Sequence, residues 1–147
     1  MITKWINLNC KLLKIPTPRL VFADASTFPT NTTRACITGD LADIKSVEMR
    51  LSKSYFNNDT PFFLAAVTIA HELRHFWQML NIERPPYFKS NNVTIKEYNE
   101  QDLELDAWAW ASYIMQREYG VYPTFDFLGE EYTQKVLSIA DAIKDTI

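Results

Sequence analysis

His71-Glu72-Leu73-Arg74-His75 spells H-E-x-x-H and contains both histidines of the 147-residue chain. In a helix, positions i and i+4 lie on one face, a turn apart. Two imidazoles so placed can bind one Zn²⁺ at about 2.0–2.1 Å. Glu72, one residue past the first histidine, can then act as general base toward a water that the metal polarises. The competing explanation is a helix that carries two satisfied core histidines. A lone histidine would favour that explanation. A pair flanking a glutamate inside an apolar segment favours the metal.

A catalytic zinc takes three protein ligands and keeps one position open. With no histidine left, the third ligand must be a carboxylate or a cysteine. Further along, Glu104, Ala107, Trp108, Ala111 and Ile114/Met115 form one helical stripe. Glu104 is its only charged member, and a carboxylate on a core-facing stripe is costly unless paired or metal-bound. Ala107 and Ala111 would let this helix approach the histidine helix closely. Asp106, beside Leu103, Trp110 and Tyr113, could accept a hydrogen bond from a histidine Nδ1–H. The acidic run as a whole has a plainer explanation, a solvated helix N-terminus favoured by the macrodipole. That explains Glu97, Glu100 and Asp102 better than Glu104. For the oxyanion, the candidates are Tyr98, six residues before Glu104, and Tyr87 in a Pro-Pro loop; packing is the common role for either tyrosine.

The elements that must position these residues follow from the pattern. Arg19–Ala23 and Thr33–Thr38 read as strands, with a Gly39-Asp40 turn after the second. Ile44–Ser52 alternates, with Val47, Met49 and Leu51 on one side, and reads as a half-buried strand. Asp59 or Thr60 then caps a helix with Pro61 in its first turn, running to about Ile82. Its expected inward stripe is Leu64, Val67, Thr68, His71, His75, Gln78, Met79 and Ile82, with Arg74 on the outer face and Trp77 packing. Glu83–Lys96, with Pro85-Pro86, must be a loop. A second helix is expected over Glu97–Glu118, ending before Gly120, and a third over Glu130–Ile143. A small three-stranded sheet plus three main helices is an α+β arrangement.

With both motifs in hand, the chain resembles the minimal gluzincin-like metallopeptidases of the ImmA/IrrE type, which are common on phage and mobile elements. They carry H-E-x-x-H on one helix and E-x-x-A-x-x-F-A on the next; this chain has Glu104-Leu-Asp-Ala107-Trp-Ala-Trp110-Ala111. The similarity spans about residues 44–115. It implies a zincin-like fold, Glu104 as the third zinc ligand and Glu72 as the base. Relatives often carry Asn or another polar residue at the place of Trp108. A bond made there would be missing here, with Asp106 as its replacement.

The bulk composition sets the frame. The length suits one domain, 1–147. The chain is 47% hydrophobic with three glycines, enough for a core and unlike a disordered segment. A net charge of −3 offers no footprint for nucleic acid or an anionic membrane, and no helix-turn-helix is evident. No signal peptide is recognisable, and the apolar run Pro61–Ala70 is too short to span a bilayer. Cys10 and Cys36 read as free thiols of a cytoplasmic protein. The expected function is zinc-dependent hydrolysis of a peptide bond in a peptide or protein substrate. The alternatives are a non-catalytic, metal-stabilised binding or regulatory protein on the same scaffold, and a hydrolase of a non-peptide amide.

Overall fold

The structure, a computed structural model, describes residues 1–28, 33–82 and 102–147. Among these, four helices accompany a three-stranded mixed sheet, an α+β arrangement. Helix α1 (Ile2–Leu13) leads into β1 (Arg19–Ala23), β2 (Ala35–Thr38) and β3 (Glu48–Ser52). Helices α2 (Phe62–Asn81), α3 (Asp102–Tyr119) and α4 (Glu130–Lys144) follow. The Glu83–Lys96 loop, Tyr87, Tyr98 and the first expected turn of the second helix lie outside the described residues. No described helix is long and apolar enough to cross a membrane.

The sequence pattern assigns no element to the stretch that forms helix α1. It buries Trp5, Ile6, Asn9, Cys10 and Leu13, a helical stripe interrupted by a polar residue. Its stop signal is atypical, because Lys14 rather than glycine takes the left-handed conformation (φ 57°, ψ 46°). That turn lets Ile15 N–H reach the Cys10 carbonyl at 3.0 Å, satisfying an otherwise orphaned helix-end acceptor. Asn9 earns its buried place by its bonds. Its amide donates to the Trp5 carbonyl at 2.8 Å, and its Oδ1 accepts from Trp110 Nε1 at 2.9 Å. Trp5 Nε1 in turn donates to the Ala66 carbonyl at 2.8 Å, which ties α1 to α2 as well as to α3.

The sheet order is β1-β3-β2, with β1 parallel and β2 antiparallel to β3. Val47, Met49 and Leu51 are buried as their alternation requires. The strand itself is shorter than its pattern. Ile44–Ser46 forms a 3₁₀ turn instead, because Ser46 Oγ accepts from Asp40 N–H at 2.9 Å and donates to the Asp43 carbonyl at 2.7 Å. These local side-chain bonds compete with the ladder.

The cap of helix α2 lies one or two residues past the expected Asp59 or Thr60. The Thr60 hydroxyl donates to the Tyr55 carbonyl and Pro61 takes the cap position without a side-chain bond. The inward stripe also differs from expectation. Leu64 is 54% and Met79 42% exposed, while Ala65, Ala66, Ile69, Ala70, Leu73 and Phe76 are buried. The reason is that α2 is covered from several directions, by α1, by β2 and by α3. A helix buried on more than one side has no single apolar stripe to read. Ala107 and Ala111 on α3 are fully buried. Helix α3 ends where Gly120 (φ 65°) turns the chain and its N–H returns to the Gln116 carbonyl at 3.0 Å.

Candidate metal centre

The middle of α2 presents His71 and His75 one turn apart, their rings edge-to-face with centroids 4.5 Å apart. Helix α3 crosses beside them and delivers Glu104, which is 1% exposed. Its Oε2 lies 2.6 Å from His71 Nε2, and its Oε1 lies 3.1 Å from His75 Nε2. One carboxylate therefore spans both imidazoles. Glu72 approaches from the other side, with Oε1 3.1 Å from His71 Nδ1. His71, Glu72 and His75 offer potential ligand atoms within 4.8 Å of one another. Glu104 is the carboxylate that meets both Nε2 atoms; Glu72 meets a single Nδ1 and is partly exposed.

The electrostatics of this cluster call for a positive charge. Burial works against a charged His71, yet the Glu104 carboxylate, with its hydrogen bond and with Glu72, outweighs burial and raises the imidazole to about 10. Burial equally opposes a charged Glu104, but His71 and His75 hold its carboxyl well below the usual carboxylate range. Among the described residues the ion-pair partners of Glu104 are these two imidazoles, with no Lys or Arg. Either a proton or a metal cation can supply the missing charge. Two buried imidazole Nε2 atoms and a carboxylate form a donor set suited to Zn²⁺, so the residues present fit such an ion.

The surroundings of the cluster hold three residues whose contacts there the sequence did not give. The first is Arg74, expected on the outer face but buried. Its Nε and Nη2 donate to Asp106 at 2.8 and 3.1 Å, and its guanidinium stacks over Trp77 at 3.8 Å. The second is Gln78, which bridges His75, Asp106 and the Leu103 carbonyl. Asp106 thus meets a histidine through Gln78 rather than by the direct bond expected of it. An amide on an inward-facing stripe, one turn past a histidine, was the available signal for Gln78, since buried amides need partners. The third is Trp108, whose ring lies over His71 at 3.9 Å with a 30° tilt. Its far side meets Phe125 and Phe127, and its buried Nε1–H has no partner among the described residues.

No family model, no curated protein and no solved structure matches the chain. What stands on geometry is a His71-Glu72-His75 group with H-E-x-x-H spacing and Glu104 beside it, a candidate metal site.

Proposed function

We propose that this protein is a zinc-dependent peptidase of the minimal zincin kind, similar to the ImmA/IrrE type, acting on a peptide or protein substrate. The observation that carries the reading is the seating of one buried carboxylate, Glu104, against the Nε2 atoms of both histidines. His71, His75 and Glu104 would hold the ion. Zinc, when bound, supplies Lewis acidity toward a carbonyl and toward water. Glu72 remains outside that set, partly exposed, and serves as the base. Its carboxylate takes a proton from the attacking water and returns it to the leaving nitrogen.

The substrate edge is β2. Strand β3 is paired on both sides and has no backbone groups to offer. Strand β2 is paired only with β3 among the described residues and packs against α2. The Glu72 charge also contributes to raising the Cys36 thiol on β2, after burial, which places that strand within electrostatic reach of the base. An extended peptide adding to β2 by main-chain hydrogen bonds would lie along the site.

The test is metal content followed by hydrolysis. Protein purified without added metal should carry about one zinc per chain. Glu72→Gln should keep that zinc while cleavage of a peptide-library substrate falls by about 10²–10⁴-fold. Protein that stays metal-free after zinc dialysis refutes the site. A zinc-loaded protein that cleaves no peptide would instead be a metal-stabilised binding protein.

A further inference from the structure

The contacts of His71 differ in kind. Glu104 Oε2 and Glu72 Oε1 meet its two ring nitrogens at the edge, at 2.6 and 3.1 Å. His75 stands across it, at 85°. Trp108 covers a face: the indole lies over the imidazole with centroids 3.9 Å apart and a 30° tilt. Aromatic pairs more commonly meet at about 4.5–7 Å, so this contact is close.

Edge contacts and face contacts restrain different motions. A carboxylate turns about its own bonds and can follow a nitrogen as the ring swings. A plate over the face cannot follow. An imidazole turned out of its plane would drive its edge into the indole, since carbon atoms pack best at about 3.5–4.0 Å and repel below that. Spacing on α3 brings both restraints to one ring. Glu104 and Trp108 are i, i+4, one turn apart on one face, so the helix that offers a carboxylate to the edge of His71 offers an indole to its face.

Ring packing sets the place of the indole. Its buried Nε1–H meets no acceptor among the described residues. Phe125 and Phe127 lie against it at 5.4 and 5.3 Å, and 6.0 Å from each other. Both come from the segment between α3 and α4, which thereby reaches His71 through Trp108.

We propose that Trp108 is the positioning residue for His71, fixing the plane of the imidazole so that Nε2 stays aimed at Glu104, with Phe125 and Phe127 holding the indole in place. The inference rests on the reading of His71 and Glu104 as metal ligands and extends it.

The experiment uses the full-length chain, zinc alone as the probe and three substitutions. Trp108→Phe keeps an aromatic face and drops the N–H. Trp108→Leu keeps an apolar side chain and removes the flat face. Trp5→Phe is the control: it loses the bond to the Ala66 carbonyl, at a ring packed on Phe62 and Tyr119. Zinc affinity is measured by chelator competition. Proton NMR of the two imidazoles, assigned through the backbone, is read at one pH in chelator-treated protein. The ring current of the indole should shift the His71 ring protons upfield in wild type. Trp108→Leu should lose that shift and bind zinc about 10–100-fold more weakly, as when an orienting partner is removed. Trp108→Phe should keep most of both. Trp5→Phe should melt earlier and keep both.

Unshifted His71 protons in wild type overturn the proposal. So does a Trp108→Leu protein with unchanged zinc affinity, or a Trp108→Phe protein as weak as Trp108→Leu. A Trp5→Phe protein that loses as much affinity as Trp108→Leu also overturns it, because the affinity then follows stability. If Trp108→Leu does not fold, Phe127→Ala takes its place, at a position 45% exposed: a smaller shift with weaker zinc binding supports the proposal, and unchanged values of both overturn it. If wild type binds no zinc, the metal reading fails by itself, and the proton shifts still decide whether Trp108 sets the ring of His71.

Discussion

Replacing Arg74 by methionine tests the bracing between α2 and α3 most directly. The guanidinium makes two charge-assisted bonds to Asp106, at 2.8 and 3.1 Å, in a pair whose side chains are 10% and 23% exposed. Breaking a fully buried pair costs about 3–5 kcal/mol, whereas an exposed pair is worth roughly 0–1 kcal/mol. This pair lies between those limits and nearer the buried one. Asp106 keeps its bond from Gln78 and some access to water, which softens the loss. The stacking on Trp77 adds about 0.5–2 kcal/mol to what is removed, part of which methionine recovers by packing. A destabilisation of about 3 kcal/mol is expected. At about 2–4 °C per kcal/mol for a chain near this size, Tm should fall by roughly 6–12 °C. Urea unfolding followed by the fluorescence of the four tryptophans measures the loss. A double-mutant cycle with Asp106→Asn isolates the pair. Arg74→Lys should recover little, because an ammonium cannot reproduce the two-pronged grip. A loss under about 1 kcal/mol, or a coupling near zero in the cycle, would refute the reasoning, since partly buried charge-assisted bonds cannot be that weak.

Four further outcomes are expected. Glu104→Ala should weaken zinc binding more than Asp106→Ala, whose loss should be on the order of 10–100-fold; chelator competition on both variants gives the ranking, and the reverse order would transfer the ligand role. Burial pushes the Cys10 thiol up to about 11, against a smaller lowering by Thr17, so native protein near neutral pH should be labelled by thiol reagents at Cys36 and not at Cys10. Because the folded state holds the Cys10 proton more tightly than the unfolded chain, that contribution to stability is intact below 9.0 and lost as pH rises toward about 11; urea midpoints that stay flat across this window contradict it. Gly39→Ala should cost about 1–3 kcal/mol, because φ is 122° there and a Cβ would sit 2.6 Å from the Ser46 carbonyl oxygen; an unchanged urea midpoint would count against that strain.

Much of the site could be read from residue spacing. The i, i+4 histidines and a lone carboxylate on an otherwise apolar stripe are local signals, and the structure brings His71, His75 and Glu104 together. Strand β1 and helix α4 were equally local, bounded by prolines in one case and a clean apolar face in the other. What escaped depended on contacts from elsewhere in the chain. Arg74 looks like a surface cation until Asp106 and Trp77 are placed around it. Gln78 has no role until the Leu103 carbonyl and Asp106 claim its hydrogens. Helix α1 was hidden because its polar member, Asn9, is satisfied by Trp110, 101 residues away, and because a lysine ends it where a glycine would have announced the stop.

That long tether has a consequence for how the chain is made. Trp5 waits for Ala66 and Asn9 waits for Trp110, separations of 61 and 101 residues. At about 5–20 residues per second, the second wait lasts roughly 5–20 s of synthesis. Until α2 is made the apolar side of α1 lacks its main packing partner, until Trp110 is made Asn9 lacks its own, and a helix of 12 residues is marginal by itself in water. Helix α1, translated before both of its partners, is thus among the last elements to settle, closing over α2 and α3 after both exist. A ribosome-bound chain stalled before Trp110 should leave α1 accessible to protease, and release of the chain with α2 and α3 complete should protect it.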